Sequence, residues 1–322
     1  MQAPRRITAL AGGVGGARFL RGLRQAAADA EVTVIGNTGD DITLHGLRVC
    51  PDLDTVMYTL GGGIHDEQGW GRADETFAVR DELSAYGEGP AWFGLGDRDI
   101  ATHLLRTRLL HAGRSLSGVT QELCQRWRPG VRLLPMSDNV VETHVETDKG
   151  TVHFQEWWIR LHAQTPARAF VFVGAEAAVP APGVLNAIAD ADVVVLPPSN
   201  PVVSIGAILA VPGIRAAVRA TRAPVVGVSP IIGGAPVRGM ADACLSAIGV
   251  DTSAYAVARH YGQRSGAGLL DAWLVDETDK DAADRLDEEG LPSRAVPLWM
   301  HDTDTAAAMA DAALHLADEV RR

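Results

Sequence analysis

The sequence predicts an α/β protein: a Rossmann-like, doubly wound, mostly parallel sheet carrying a largely helical insertion. Three observations lead there. Short β-branched runs alternate with helical patterns near both ends of the chain. A glycine turn, Gly12-Gly13-Val14-Gly15-Gly16, stands between the first run and the first helical pattern. A middle stretch shows helical spacing with no buried run between its helices. We therefore expect a single domain over residues 1–322, with an insertion at about 56–165 made of helices plus a hairpin.

Taken in order, residues 6–11 (RITALA) read as a short buried strand that runs into the glycine turn. Residues 17–28 carry Phe19, Leu20 and Leu23 at helical spacing, and 32–36 (VTVIG) form the second strand. Within the insertion, 54–61, 73–86, 98–111 and 117–127 read as helices. Residues 140–147 and 151–158 read as a hairpin around Asp148-Lys149-Gly150. The strands 169–173 (AFVFV), 193–196 (VVVL) and 224–228 (PVVGV) then resume the same sheet. Helices are expected at 184–191, 212–221, 239–248 and 303–320. Segment 271–289 is strongly acidic and reads as a solvated helix face.

Composition narrows the class. Hydrophobic residues make up 47% and charged residues 21%, which excludes a disordered chain. The net charge of −11 argues against a nucleic-acid partner, which needs a basic face. Cys50, Cys124 and Cys244 are too few for a disulfide framework and suit a reducing cytosol. The start is not expected to be a signal peptide, and no apolar run reaches bilayer length, so we expect a cytoplasmic protein with no membrane partner.

The glycine turn offers bare backbone and a helix N-terminus to a phosphate. It is neither the dinucleotide fingerprint, whose third glycine is Arg18 here, nor a Walker loop. The plain alternative is a turn that needs glycine for steric reasons. Asn37-Thr38-Gly39-Asp40-Asp41 follows the second strand, and Pro51-Asp52-Leu53-Asp54-Thr55 comes soon after. Two carboxylate pairs so close suit a hard divalent cation shared with substrate phosphates. Taken singly, Asp40-Asp41 reads as a turn, and Asp52 or Asp54 as a helix cap. Pro197-Pro198-Ser199-Asn200-Pro201 and Ser229-Pro230-Ile231-Ile232-Gly233-Gly234 should reach the same sheet edge. The insertion adds aromatics among polar residues, 70–77 and 92–99, suited to stacking on a flat heterocycle or to core anchoring. Asp97 and Asp99 read as caps of helix 98–111, and His144 and His153 as structural hydrogen-bonders.

These residues resemble, nearly end to end, the 2-phospho-L-lactate transferase family of coenzyme F-420 biosynthesis. The stretches that carry the resemblance are AGGVGGARFLRGL, NTGDD, CPDLDTVMYTLGGG, WGRADETF, WFGLGDRDIATHLLRT, LPMSDN, HFQEWW, PPSNPVVSIG, VSPIIGGAPVRGMAD and AVPLWM. Their wording is most similar to the actinobacterial phosphoenolpyruvate transferase branch. Ala207 departs from the proline that the family often has at this position.

The resemblance implies a reaction without redox chemistry. A phosphoenolpyruvyl or 2-phospho-L-lactyl group moves from its guanosine diphosphate ester to the ribityl hydroxyl of the deazaflavin FO, and GMP leaves. It implies Mg2+ and a homodimer, with the insertion forming part of the acceptor site. Nucleotide binding is expected at Gly12, Gly13, Gly15, Gly16, Asn37, Ser199 and Asn200. Metal is expected at Asp40 and Asp54, with Asp41 and Asp52 as alternates, and catalytic roles at Asp54 and Asp40. Asp54 could instead orient or deprotonate the hydroxyl. FO is expected near Asp54, Thr55, Trp70, Trp92, Gly94 and Asp97. Two other readings compete: a non-catalytic nucleotide-sugar-binding regulator from a sister group, and a nicotinamide oxidoreductase, which the missing third glycine disfavours.

Overall fold

A computed structural model describes residues 4–90 and 92–321. Its central sheet has seven strands, all parallel. We number them in chain order: β1 Arg6–Ala11, β2 Glu31–Gly36, β3 Arg132–Pro135, β4 Val193–Leu196, β5 Val225–Val228, β6 Ala272–Val275 and β7 Ser293–Ala295. Their spatial order is β7-β6-β5-β4-β1-β2-β3. The chain steps one way from β1 to β3 and the other way from β4 to β7. That reversal defines a switch point between β1 and β4, where a doubly wound sheet opens a crevice at its carboxyl edge. The α/β class expected from the sequence is the one observed.

The central strands are apolar on both faces because both faces are covered. Ile7, Ala9, Val193, Val195, Val226 and Leu274 join one buried cluster. Leu10, Val194, Leu196, Val225 and Trp273 join the other. The first cluster is roofed by α1 (Gly13–Ala26), α2 (Pro51–Gly61) and the C-terminal helix Thr303–Glu319. A Cβ at Gly22 of α1 would run into the backbone of Ala306, so glycine is what lets these two helices approach. Proline opens α2, and left-handed Gly62 closes it. Beyond α2 come α3 (Ala78–Ala85), α4 (Asp97–His111) and α5 (Leu116–Trp127).

Several expectations need correction. Strand 169–173 is not in the central sheet. Ala167–Val173 pairs antiparallel with Glu142–Thr147, which also pairs with Gly150–His153. It is β-branched but partly exposed along its length, so it packs on one side only. The stretch expected as an insertion, about 56–165, contributes β3 to the central sheet; β3 is short and leucine-rich, without the β-branched signature. Segment 271–289 hides the wholly buried β6 between Asp271 and Asp276, and its helix Lys280–Glu288 buries Ala283 and Leu286. The helix expected at 73–86 narrows to α3, and the second hairpin strand stops at His153 before a π-helix, Glu156–Arg160. Among the described residues no helix is long and apolar enough to cross a membrane.

Candidate active site at the switch point

Gly12 follows β1 and caps α1 with extended backbone and no side-chain bond. The loop after β4 closes on it: Ser199 Oγ accepts from Gly12 N–H at 3.2 Å and donates to Gly12 C=O at 2.8 Å. Side chains at Gly12, Gly15 or Gly16 would collide with Asp52 and Ser204, with the Pro198 carbonyl, or with Ser199. Three of the four glycines are thus required by packing. Gly13, at φ +67°, faces open space and needs glycine for its backbone alone. The first turn of α1 carries no acidic residue, so its positive end is unopposed from within the helix.

The expected amides are occupied by the protein. Asn37 donates to Asp52 Oδ2 at 2.9 Å and to the Val203 carbonyl at 3.3 Å, and accepts from Gly39 N–H at 2.8 Å. Asn200 accepts from Val202 and Val203 N–H at 2.9 and 3.2 Å and reaches Cys244 Sγ at 3.4 Å. Both hold loops in place.

The aspartates are the unusual feature. Asp40, Asp41, Asp52 and Asp54 are exposed by only 6%, 0%, 6% and 4%. Asp41 meets Arg48 at 3.5 Å, and Arg48 also meets Glu142 at 3.5 Å. Asp54 accepts through Oδ1 from the buried guanidinium of Arg106. Asp52 ties Asn37 to the Gly13 N–H. Among the described residues, Asp40 has no arginine against it. Asp40 Oδ1, Asp41 Oδ1 and Asp54 Oδ2 have no hydrogen-bond partner, nor do the neighbouring hydroxyls of Thr38 and Thr143. Burial pushes Asp40 well above the ordinary carboxylate range, and Asp52 beside it adds to the shift. Burial lifts Asp41 to about 7 against the pull of Arg48, and Asp52 to about 6 against its bond from Asn37. Asp54 is raised by burial, with Arg106 and His103 opposing. Buried carboxylate oxygens without partners are costly, and they mark sites where a ligand completes the charge balance. A hard cation takes such oxygens, and those free here belong to Asp40, Asp41 and Asp54.

Among the described residues, Asp54, Asp99 and His103 place donor atoms within 4.8 Å of one another, and Asp40 is not in that group. Asp40 keeps company with Asp52 and Asn37 instead.

Of the acceptor-side residues, Thr55 is buried on α2 directly after Asp54. Trp70 is half exposed, on a turn whose Gly69 lies against Val14 of α1. Trp92 is half-buried, edge-on to Phe93 at 6.0 Å, and Gly94 is exposed. Asp97 does not cap α4. It accepts from Thr76 Oγ1 at 2.6 Å and from the Ala78 and Val79 N–H at 3.0 and 2.9 Å, so it caps α3. Glu75 takes the α4 role, accepting from Arg98 and Asp99 N–H at 2.8 Å each. Asp99 turns inward to Tyr58 OH at 2.7 Å and His103 at 3.5 Å. Burial raises its pKa, but the bonds from His103 and Tyr58 outweigh that and hold it low.

Sequence reasoning missed Arg48, Arg106, His103, Glu75 and Arg238. The last reaches the Gln68 carbonyl from the loop after β5, near Arg18, which donates to Asp66 C=O at 3.3 Å. A signal for two of them was present: Asp99, His103 and Arg106 repeat at helical spacing on the same face as buried Thr102.

The chain is similar to known proteins. The family model for 2-phospho-L-lactate transferase CofD matches residues 7–313. A phosphoenolpyruvate transferase of Streptomyces griseus is 67% identical over 320 residues, covering 98% of this chain and 99% of that one. Those of Thermobifida fusca and Mycobacterium avium are 64% and 56% identical, each covering at least 97% of both chains. A crystal structure of a upf0052-family protein from Bacillus halodurans superposes with a TM-score of 0.65 over 98% of this chain and 100% of that one, at 18% identity, which speaks to the fold alone. The chain belongs to the 2-phospho-L-lactate transferase CofD family and is a transferase of coenzyme F-420 biosynthesis.

Proposed function

We propose that the protein moves a phosphoenolpyruvyl or 2-phospho-L-lactyl group from its guanosine diphosphate ester to the terminal ribityl hydroxyl of FO. The hydroxyl oxygen bonds to the phosphorus that bears the three-carbon acid. The bridging bond to GMP breaks, GMP leaves with the electron pair, and (dehydro-)coenzyme F-420-0 remains. Such phosphoryl transfer depends on positioning and charge neutralisation more than on covalent help.

One observation carries this reading: buried carboxylate oxygens without partners, clustered at the switch point where α1 begins. The open space over Gly13 receives a donor phosphate, and Arg18, further along α1 with Arg238 near it, supplies positive charge. Asp40, with a free oxygen and no arginine, is the first ligand for Mg2+, and Asp41 Oδ1 the second. When bound, the ion offsets charge on the diphosphate. Asp54, already paired with Arg106, orients the acceptor hydroxyl through Oδ2 and takes its proton, a task suited to a raised carboxylate. Thr55 lines the acceptor side.

The test is a balance of products. Protein, FO, the enolpyruvyl or lactyl donor and Mg2+ should give equal amounts of diester and GMP by chromatography with mass detection. Chelation of the metal should stop both. Absence of GMP in both donor reactions sinks the proposal, and tight binding of a uridine nucleotide-sugar without FO binding would replace it with the regulatory reading. The homodimer implied by the resemblance is tested by sedimentation velocity.

A further inference from the structure

We infer that Arg106 is a positioning residue: it grips Oδ1 of Asp54 and thereby aims Oδ2 at the acceptor hydroxyl. The inference rests on the transferase reading above and deepens it. Arg106 is exposed by only 1%, which is rare for an arginine. It lies on the face of α4 that also carries Asp99 and His103, and that face meets Asp54 and Tyr58, four residues apart on α2. A polar seam joins the two helices. Tyr58 OH donates to Asp99 Oδ1 at 2.7 Å, and His103 Nε2 lies 3.5 Å from Asp99 Oδ2. His103 Nδ1 lies 3.1 Å from Arg106 Nη1 and 3.8 Å from Asp54 Oδ2. Arg106 Nη2 donates to Asp54 Oδ1, and Nη1 donates to the Arg48 carbonyl at 3.3 Å.

The guanidinium is a rigid planar fork, so bonds to two separate elements fix its orientation. The carboxylate it grips is then held relative to the Arg48 backbone, and the Arg48 side chain in turn holds Asp41. A seam built for stability alone would satisfy both oxygens of a buried carboxylate. Here one is gripped and the other, Oδ2, makes no hydrogen bond, His103 standing off at 3.8 Å. Glu75 pins the start of α4, so the acceptor-side loop and Asp54 share one rigid connection.

The experiment compares Arg106→Lys and Arg106→Met in the full chain. Lysine keeps the charge but loses the fork. Positioning predicts that Arg106→Lys melts close to the wild type while kcat falls about 10²-fold, with KM for FO and donor within about threefold. Arg106→Met should lose kcat at least as far. A kcat that recovers with lysine in step with the melting temperature overturns the inference, and this decides the matter even if Arg106→Met does not fold. If the wild type itself releases no GMP, the transferase reading fails first. The crystal structure of Arg106→Lys then decides separately: a displaced Asp54 carboxylate supports the positioning role, and an unmoved one overturns it.

Discussion

Asp40, on the loop after β2, and Asp54, in the first turn of α2, are equally buried, yet their surroundings differ in kind. Asp54 is met by Arg106, with His103, Asp99 and Tyr58 behind it. Among the described residues, Asp40 has Asn37 to help it and both Asp52 and Asp41 to repel it. One end of the cluster is electrically complete without a ligand, and the other is not. The difference teaches where to look for each partner. A cation belongs at the end that lacks one, and an uncharged hydroxyl at the end that already has one.

The same substitution should therefore act oppositely on stability at the two ends. Asp54→Asn removes the charge that balances a buried guanidinium. We expect a loss of roughly 3 kcal/mol in urea unfolding, as when one partner of a buried pair is removed. Turnover should fall by about 10²–10⁴-fold, the usual worth of a positioned acid–base group. Asp40→Asn also should cut Mg2+-dependent turnover, by about 10²-fold or more, but it deletes a carboxyl whose burial opposes its ionisation and which no arginine among the described residues offsets. The metal-free variant should be about 1–3 kcal/mol more stable than the wild type. Equal and same-signed stability changes in the two variants would erase the distinction.

A pH series sharpens the comparison further. Unfolded carboxyls lose their protons near about pH 4, whereas folded Asp52 does so at about 6 and Asp41 at about 7. Because the folded values are raised, the folded chain holds protons that the unfolded chain has lost. Stability present in acid is then lost as pH rises from about 4 to about 7. In a chelator the urea midpoint should be higher at pH 5 than at pH 7.5. Saturating Mg2+ should shrink the gap, since a bound cation replaces the protons. A midpoint that rises with pH in chelator would mean these carboxylates are already balanced.

The two ends also differ in how far the sequence discloses them. Gly12–Gly16 and Asn37–Asp41 sit in contiguous motifs directly after strands, so order along the chain already placed them at one edge. Asp54 was legible for the same reason. Its partner was not: Arg106 lies 52 residues away, and only the packing of α4 against α2 joins them. The bond pattern of Asn37 and Asn200 was equally hidden, because a side-chain amide looks the same in sequence whether it faces a ligand or its own loop. Strand β6 was masked by the charges around it, and β3 by its leucines. Local pattern reports what a segment prefers, while burial between distant segments decides these cases.

Asp97 gives the smallest expected effect and the cleanest check on the acceptor side. The resemblance places it near FO, but both its oxygens serve Thr76 and the start of α3. Those bonds hold its carboxyl below the ordinary range, with Thr76 the largest cause. Helix α3 buries none of its residues, so little else depends on that cap. Asp97→Ala should lower the melting temperature slightly, less than any change above, and leave kcat and the KM for FO near the wild type. A selective rise in the KM for FO, with melting unchanged, would instead show that α3 opens and frees this carboxylate for the acceptor. The acceptor face would then extend well beyond Thr55, and the rigid connection through Glu75 would have to be a moving one.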